Sequence, residues 1–291
     1  MKVIHSISQM SICSRKIKAN GQSIGFVPTM GALHQGHLSL IKKAKRDCDV
    51  VVISIFVNPT QFGPQEDFKK YPRSFANDKK LAQKAGIDFL FAPAAEEIYP
   101  SNYCTYIKVK NLDERLCGAF RPGHFQGVAT IVHKLLNIVQ PNIAYFGQKD
   151  FQQAVIIKTM VRNLNIPVKI RVLPTVREKD GLAMSSRNRY LNEREKKDAS
   201  ILFQTLQLAK EMVEKGEKNS AKVISGMKKI LGRVPDAKID YVSIVNPENL
   251  EDVRLIDKKI LVALAVWIGK VRLIDNMLID EKPETRMTNG E

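Results

Sequence analysis

Two histidines placed three residues apart, His34 and His37, are the side chains of this sequence best placed to act together. They flank Gly36 in the segment Pro-Thr-Met-Gly-Ala-Leu-His-Gln-Gly-His, which follows a predicted strand at 23–27 and begins a predicted helix at 34–46. Residues three apart share one helical face, so both imidazoles can reach the same group. Free N–H groups and the dipole at a helix start favour a phosphate there. The segment therefore predicts a phosphate-binding site.

Two other roles are open for this histidine pair. The two imidazoles could only fix the start of the helix, or they could form half of a zinc site. Zinc sites need three or four protein ligands. The other three histidines, His5, His124 and His133, form no metal pattern with the pair. We therefore predict no metal ligands among the side chains.

Other polar residues follow later predicted elements. Lys149 follows a predicted strand at 143–146, at the edge where open α/β sheets bind ligands. An ammonium there can neutralise charge on phosphates, whereas elsewhere it would be an ordinary surface lysine. Asp150 begins the next predicted helix and could be its N-cap. The Ser-Ser-Arg tripeptide at 185–187 could form charge-assisted bonds to phosphate oxygens, although by itself it is a common loop sequence.

The elements that must position these residues alternate along the first 175 residues or so. The continuous apolar run at 50–56 is typical of a strand buried on both faces. Predicted strands lie at 23–27, 50–56, 87–91, 143–146 and 168–173, and predicted helices at 34–46, 74–84, 127–139 and 150–163. Strands separated by helices predict a parallel, doubly wound α/β sheet with right-handed crossovers.

The pattern changes after Thr175. Two predicted helices, at 193–215 and 220–231, are followed by three β-like runs at 239–245, 260–267 and 271–279. Gly269-Lys270 suits a tight hairpin between the last two runs. We predict a first domain at 1–176 and a smaller α+β lid domain with an antiparallel sheet at 177–291. The polar tail at 281–291 is expected to fray.

Composition limits the class of protein. The 291 residues are 44% hydrophobic and 26% charged, which is typical of a globular chain. The net charge of +16 could attract nucleic acid, but the basic residues are spread along the chain without interleaved aromatics, so we expect anionic small substrates and no nucleic-acid partner. No apolar run is long enough to span a bilayer, and the N-terminus lacks an export pattern. We therefore expect a cytoplasmic location and no membrane partner. Without export, the four scattered cysteines are expected to be reduced thiols.

A wider set of motifs adds a resemblance. The His-x-Gly-His segment at a strand–helix junction resembles the nucleotidyltransferase superfamily, which includes the class I aminoacyl-tRNA synthetases. Further motifs follow it in order at 56–62, 71–73, 121–125, 146–153 and 174–188. Together they resemble the pantothenate synthetase family over nearly the whole chain. Gln148 departs from the family, where Glu is more often expected, and the tail at 281–291 has no obvious family counterpart.

The resemblance implies a Rossmann-like fold and an ATP-dependent acid–amine ligase. The carboxylate of (R)-pantoate would attack the α-phosphorus of ATP, giving pantoyl adenylate and pyrophosphate. The amine of β-alanine would then attack the activated carbonyl, giving pantothenate and AMP. Catalysis would consist mainly of positioning and charge stabilisation. The family also implies Mg²⁺ bound with ATP and a homodimer.

The resemblance also assigns residues to roles. His37 matches the family's catalytic histidine, and His34 and Lys149 would act with it on the phosphates. Gln61 and Gln153 would bind pantoate, with Gln61 also bordering β-alanine. The residues implied to bind ATP are Met30, Gly31, Ala32, Leu33, His34, Gln35, Gly36, His37, Gly147, Gln148, Lys149, Asp150, Val176, Met184, Ser185, Ser186 and Arg187. In the family Asp150 bonds the ribose hydroxyls, a role that is compatible with capping.

Some residues and functions stay open. Val57 and Phe62 are candidates for an apolar wall beside the gem-dimethyl group of pantoate. Tyr71, Arg121 and His124 lie in the motifs but receive no role. The alternatives to the ligase are another His-x-Gly-His nucleotidyltransferase acting on a small acid or phosphate ester, an RNA-binding synthetase-like module, and a nucleotide-binding regulator without turnover.

Overall fold

The structure is a computed structural model that describes residues 1–64, 66–235 and 237–280. The chain forms two compact units, Met1–Arg189 and Tyr190–Glu291. The sequence placed this boundary earlier, at residue 176. The segment after residue 176 belongs to the first unit because Arg187 pairs with Asp67 and Ser186 bonds to Tyr71. The predicted frayed tail at 281–291 lies outside the described residues.

The first unit contains six strands and seven helices among its described residues. The strands are β1 (Lys2–Ile4), β2 (Ile24–Thr29), β3 (Val50–Ile55), β4 (Phe89–Phe91), β5 (Ile143–Gly147) and β6 (Lys169–Leu173). The helices are α1 (Ile7–Ala19), α2 (Gln35–Asp47), α3 (Phe75–Lys84), α4 (Ala95–Ile98), α5 (Cys117–Phe120), α6 (His124–Val139) and α7 (Phe151–Asn163). The sequence predicted the five strands β2 to β6 and four of these helices, and it missed β1, α1, α4 and α5.

All six strands form one parallel sheet in the order β1-β4-β3-β2-β5-β6. The predicted doubly wound α/β class is confirmed. β3 and then β4 extend the sheet from one edge of β2, and β5 and then β6 extend it from the other edge. The order of strands therefore reverses between β2 and β5, and ligands of such sheets bind outside the carboxyl ends of strands at this switch point.

A buried core holds the strand ends in place. Every residue of β3 from Val50 to Ile53 is 7% exposed or less, as predicted for a strand covered on both faces. Val27 of β2 and Ile41 and Ala44 of α2 belong to the same core cluster. Burial of a large aliphatic side chain contributes about 1.5–3 kcal/mol. The loop between β2 and α2, which ends at His34 and leads to His37 in the first turn of α2, is thus anchored at each end.

The second unit combines α8 (Glu193–Ala199), α9 (Ile201–Glu214) and α10 (Ser220–Leu231) with β7 (Ala237–Val245), β8 (Ile260–Ile268) and β9 (Val271–Ile279). The strands form an antiparallel sheet in the order β7-β8-β9, which confirms the predicted α+β character. Gly269, at φ +56°, makes the predicted turn between β8 and β9.

The sequence predicted one helix across 193–215, and this prediction was wrong. The helix is interrupted at Ser200, which separates α8 from α9. The N–H and the hydroxyl of Ser200 both bond to the carbonyl of Lys197, three residues earlier. A serine hydroxyl that competes for backbone groups favours such a tightened turn, and the apolar periodicity on either side does not reveal it.

Candidate functional site

The loop after β2 and the turn after β5 lie side by side because β2 and β5 are neighbours in the sheet. The first ends at His34, the N-cap of α2, and is followed by His37 in the first turn of that helix, and the second carries Lys149. Lys149 lies close enough for its charge to lower the pKa of both imidazoles. The structure thus brings together the three residues that the sequence singled out for work on phosphates.

The two histidines bind the start of α2 through their Nδ1 atoms. The N–H of His34 donates to Nδ1 of His37 over 3.3 Å, and the N–H of Gly36 donates to Nδ1 of His34 over 3.1 Å. A neutral imidazole that accepts at Nδ1 carries its proton on Nε2. Both rings are therefore Nε2–H donors, 4.1 Å apart between centroids. Helix capping and phosphate binding are compatible because they use different nitrogens.

Both imidazoles are neutral at pH 7. Burial, followed by the charge of Lys149, lowers the pKa of His34 to about 4. Burial, followed by the charge of His34 and then of Lys149, lowers the pKa of His37 to about 3. A neutral Nε2–H donates a hydrogen bond to an anionic oxygen without a change of protonation state. The pair can therefore orient phosphates as dipoles while Lys149 supplies the charge.

Nuclear magnetic resonance of the ring nitrogens tests this protonation state. We expect His34 and His37 to stay in the Nε2–H form from pH 8 down to about pH 5. Because their pKa values lie below that of an unfolded histidine, the unfolded chain binds more protons between pH 6.5 and about pH 4. The stability that they contribute is thus complete above this window and is lost as the pH falls through it. Titration of either ring near pH 6.5 would contradict the assignment.

The loop amides are held by a carboxylate that the sequence analysis missed. Asp78 of α3 is 1% exposed, and its two oxygens accept 2.8 Å bonds from the N–H groups of Ala32 and Leu33. The expectation that free amides here bind a phosphate therefore needs correction at these two residues, and also at His34 and Gly36, whose N–H groups donate to the imidazoles. Asp78 instead fixes the path of the loop, where Gly31 has φ +82°.

The turn after β5 offers charge and space. Lys149 Nζ lies 3.7 Å from Asp150 Oδ1. Asp150 occupies the N-cap position of α7, but its carboxylate accepts no capping bond and is half exposed. Gln148 begins the same turn, and a Cβ added at Gly147 would meet nothing within 4 Å. The structure thus leaves room beside the backbone for a ligand.

The Ser-Ser-Arg segment is fixed by the loop that precedes α3. Arg187 donates to both oxygens of Asp67, over 3.0 and 2.8 Å, and Ser186 and Tyr71 share a 3.2 Å hydroxyl bond. Ser185 Oγ accepts the N–H of Arg187 over 3.3 Å. These contacts give Tyr71 and Asp67 supporting roles that the sequence did not reveal.

The segment that leads to this loop is a tight hairpin. The N–H of Met184 donates to the carbonyl of Val176 over 2.9 Å, and Arg177 forms a bridge with Ala183. Asn188 closes the hairpin from inside, since its Nδ2 bonds to Glu178 over 2.7 Å. Val176 and Met184 thus stand side by side, as two residues that share one ligand would require.

Gln61 lies in a buried amide network. It is 8% exposed, and its Oε1 accepts a 3.1 Å bond from Nδ2 of Asn58. Its Nε2 contacts Sδ of Met30 at 2.9 Å, which links the glutamine to the histidine loop. Asn58 is 1% exposed and also accepts from the hydroxyl of Tyr99 over 2.8 Å. Asn58 lies within the motif at 56–62, but the sequence analysis gave it no role. Only its burial and its bond to Gln61 show that it holds this glutamine.

The second predicted pantoate ligand, Gln153, lies on α7 beyond Lys149. Its side chain is half-buried and makes no hydrogen bond to any residue that the structure describes.

A cavity of about 310 Å³ lies next to the loop after β2, and Val57 lines it. Other lining residues are Met30, Phe68, Pro72, Phe75 and Asp78. Phe62, the other apolar candidate, packs instead on Phe68 and Tyr71.

Metal binding was one of the alternatives for the histidine pair. Within 1–64, 66–235 and 237–280, no group of three or more His, Cys, Asp or Glu side chains could hold a metal ion. Both Nδ1 atoms of the pair are occupied by backbone N–H groups. The described geometry therefore favours a ligand that accepts hydrogen bonds from Nε2–H.

Comparisons with known proteins point to one family. A family model described as pantoate-beta-alanine ligase matches residues 2–278. A pantothenate synthetase of Caldicellulosiruptor bescii is 51% identical over 282 residues, covering 97% of this chain and 100% of the relative. One of Fervidobacterium nodosum is 53% identical over 280 residues, covering 96% of this chain and 100% of the relative.

Solved structures give the same result. A pantothenate synthetase of Thermus thermophilus superimposes with a TM-score of 0.91 at 42% identity, over 97% of this chain and 100% of that one. A pantoate-beta-alanine ligase of Francisella tularensis has a TM-score of 0.79 at 38% identity, over 96% of this chain and 97% of that one. The Francisella protein was crystallised with beta-gamma ATP and beta-alanine.

Proposed function

The chain belongs to the pantoate–β-alanine ligase family, and from this we infer that it condenses pantoate with β-alanine in a reaction driven by ATP. The observation that carries this function is the family match over residues 2–278. The convergence of two Nε2–H donors and a lysine at the switch point supports it. The products are pantothenate, AMP and pyrophosphate.

In the first step the carboxylate of pantoate attacks the α-phosphorus of ATP. A P–O bond forms to the acid, and the bond between the α- and β-phosphates breaks, so that pyrophosphate leaves. Negative charge grows on oxygens that His34, His37 and Lys149 would face. Donors already held in place for that charge lower the barrier, since they need no reorganisation during the reaction.

In the second step the amine of β-alanine attacks the carbonyl carbon of pantoyl adenylate. A C–N bond forms, the C–O bond to AMP breaks, and the attacking nitrogen loses a proton. AMP is a good leaving group, whereas the oxygen of a free carboxylate is not. The protein mainly has to hold the amine in line with the carbonyl.

The individual substrate contacts are part of the same proposal. The residues after β2, the turn after β5 and the hairpin at 176–187 would bind ATP. Gln61 and Gln153 would bind pantoate, and Gln61 would also border β-alanine. The network around Asn58 supports a fixed orientation for Gln61. Two N–H groups of Arg187 now donate to the carboxylate of Asp67. Phosphate oxygens would therefore have to bind Arg187 beside Asp67 or in place of it.

Mg²⁺ would enter as part of the substrate, bound to the triphosphate of ATP. It commonly keeps several waters and bridges phosphates, and so needs few protein ligands. Asp150, whose carboxylate is half exposed beside Lys149, is the acidic residue in the turn after β5. We propose no further metal ion, and Mg²⁺ itself would be carried by ATP.

Other predictions concern the whole protein. A homodimer, a cytoplasmic location and a lid role for the second unit stay predictions from the sequence and the family. No helix in the described part of the chain is both long enough and apolar enough to cross a membrane. Sedimentation at several protein concentrations tests the dimer.

Isotope exchange tests the reaction and separates it from the nucleotidyltransferase alternative. We expect labelled pyrophosphate to enter ATP only when pantoate is present, and AMP to accumulate only after β-alanine is added. Reversible adenylate formation accounts for the exchange of pyrophosphate, and amide formation accounts for the release of AMP. Exchange that depends on a phosphate ester rather than on pantoate would contradict the proposal.

A further inference from the structure

The turn that carries Gln61 depends on neighbours for its shape. Its own backbone bonds are long, 3.5 Å from the Gln61 N–H to Asn58 and 3.3 Å from the Phe62 N–H to Pro59. Bonds at this length are weak. The Gln61 carbonyl receives a much shorter bond, 2.7 Å, from Nδ1 of His124. The first residue of α6 is thus the strongest polar anchor of this turn.

The tautomer of His124 follows from its second partner. Arg121 Nη1 lies 3.0 Å from His124 Nε2. A guanidinium can only donate, so Nε2 accepts and the ring proton lies on Nδ1, opposite to the arrangement in His34 and His37. Arg121 is itself held by Glu66 through bonds of 2.6 and 2.5 Å. The chain Glu66–Arg121–His124 therefore aims one donor at the Gln61 carbonyl.

Packing reinforces this contact. Gly127 lies three residues after His124, on the same face of α6. A Cβ added to Gly127 would come within 2.3 Å of the carbonyl oxygen of Thr60, so the helix lies directly against the turn. The carbonyl of Gly127 also accepts a 3.1 Å bond from Asn58 Nδ2. The first turn of α6 therefore forms a platform for residues 58–61.

We propose that His124 is a positioning residue for the acid substrate, which it serves by fixing the Gln61 main chain and thereby the direction of the Gln61 amide. The inference rests on the proposed role of Gln61 in binding pantoate. Protein groups occupy both ring nitrogens of His124, so His124 acts through Gln61 and not by contact with substrate. Arg121 holds the tautomer of His124 and also donates from Nη2 to the Gln61 carbonyl over a longer distance of 3.4 Å, and Glu66 holds Arg121 in place.

Two substitutions that each keep one half of the imidazole test the inference. Asparagine can place an amide nitrogen where Nδ1 stood, so His124→Asn keeps the donor to Gln61. His124→Gln places its amide where Nε2 stood and loses that donor. We expect His124→Gln to raise KM for pantoate about tenfold, the equivalent of one hydrogen bond, with little change in KM for ATP. His124→Asn should restore most of the pantoate affinity.

A double substitution separates positioning from general damage. If His124 acts through Gln61, then His124→Gln combined with Gln61→Ala raises KM for pantoate no further than Gln61→Ala alone. His133→Gln is a matched control, since this histidine of α6 bonds through Nε2 to Asn137 and to no other described residue. We expect it to leave both KM values unchanged. Nitrogen resonances of wild-type His124 should show the Nδ1–H tautomer.

Several results would overturn the inference. These are an equal rise in the KM of both substrates for His124→Gln, additive effects in the double variant, no rescue by asparagine, or an Nε2–H tautomer at His124. Failure of the proposed function looks different, because the wild-type protein would then form no pantothenate. Thermal unfolding of each variant shows whether a loss comes from misfolding.

Discussion

Replacement of His37 with asparagine is expected to slow pantoyl adenylate formation about 10²–10³-fold, the usual effect of removing one transition-state donor. His37 Nδ1 accepts the N–H of His34 over 3.3 Å, whereas its Nε2–H faces away from that bond. Asparagine keeps an acceptor at the δ position but has no group that reaches as far as Nε2. The variant should therefore retain the start of α2 and lose the donor to phosphate. Single-turnover measurement with ATP and pantoate gives the rate.

A comparison with His37→Ala separates the two functions of the ring. Alanine removes the acceptor as well, so this variant should lose about 0.5–2 kcal/mol of stability, as for other helix caps. His37→Asn should unfold near the wild-type temperature. Adenylate formation close to the wild-type rate in His37→Asn would show that Nε2 does not serve catalysis.

Replacement of Lys149 with methionine is expected to slow adenylate formation by about 10²-fold or more. Its charge acts on both imidazoles, and an ammonium in that position would stabilise charge that builds up on the departing pyrophosphate. The pKa of each histidine should rise slightly in the variant, because the positive charge of Lys149 no longer lowers it. The contact between Lys149 and half-exposed Asp150, 3.7 Å long, contributes little to stability.

Lys158→Met is the control for this prediction. Lys158 is exposed on α7, so both substitutions remove one positive charge from a chain of net charge +16. Only a local role for Lys149 makes the two variants differ. Equal losses of activity would show that the general positive field attracts ATP and that Lys149 has no special position.

The sequence predicted which elements would carry several of the candidate site residues, because this placement depends on local pattern. His34, Gly36 and His37 lie within four residues at a strand–helix junction, and Lys149 follows directly after a strand. The strands themselves were evident from apolar runs between turn residues, and parallel order follows from the helices between them. A pattern of this kind needs no knowledge of distant partners.

The supporting residues could not be predicted in this way. Asp78 holds the amides of Ala32 and Leu33 from more than forty positions away. His124 meets the Gln61 carbonyl across 63 positions, and Arg187 meets Asp67 across 120. An isolated Asp or His in a sequence is most simply interpreted as a surface residue or a cap, so these partners had no signal of their own.

Local sequence thus determined every strand except β1, most of the longer helices and the identity of the groups proposed to face phosphate, since dihedral preferences and apolar spacing act over a few residues. The tertiary structure decided the protonation and the direction of those groups. Whether an imidazole carries its proton on Nδ1 or on Nε2 depends on which partner lies next to each nitrogen. For His124 one partner, Arg121, is local, whereas the other, the carbonyl of Gln61, comes from a distant segment that only the packing of α6 brings into contact.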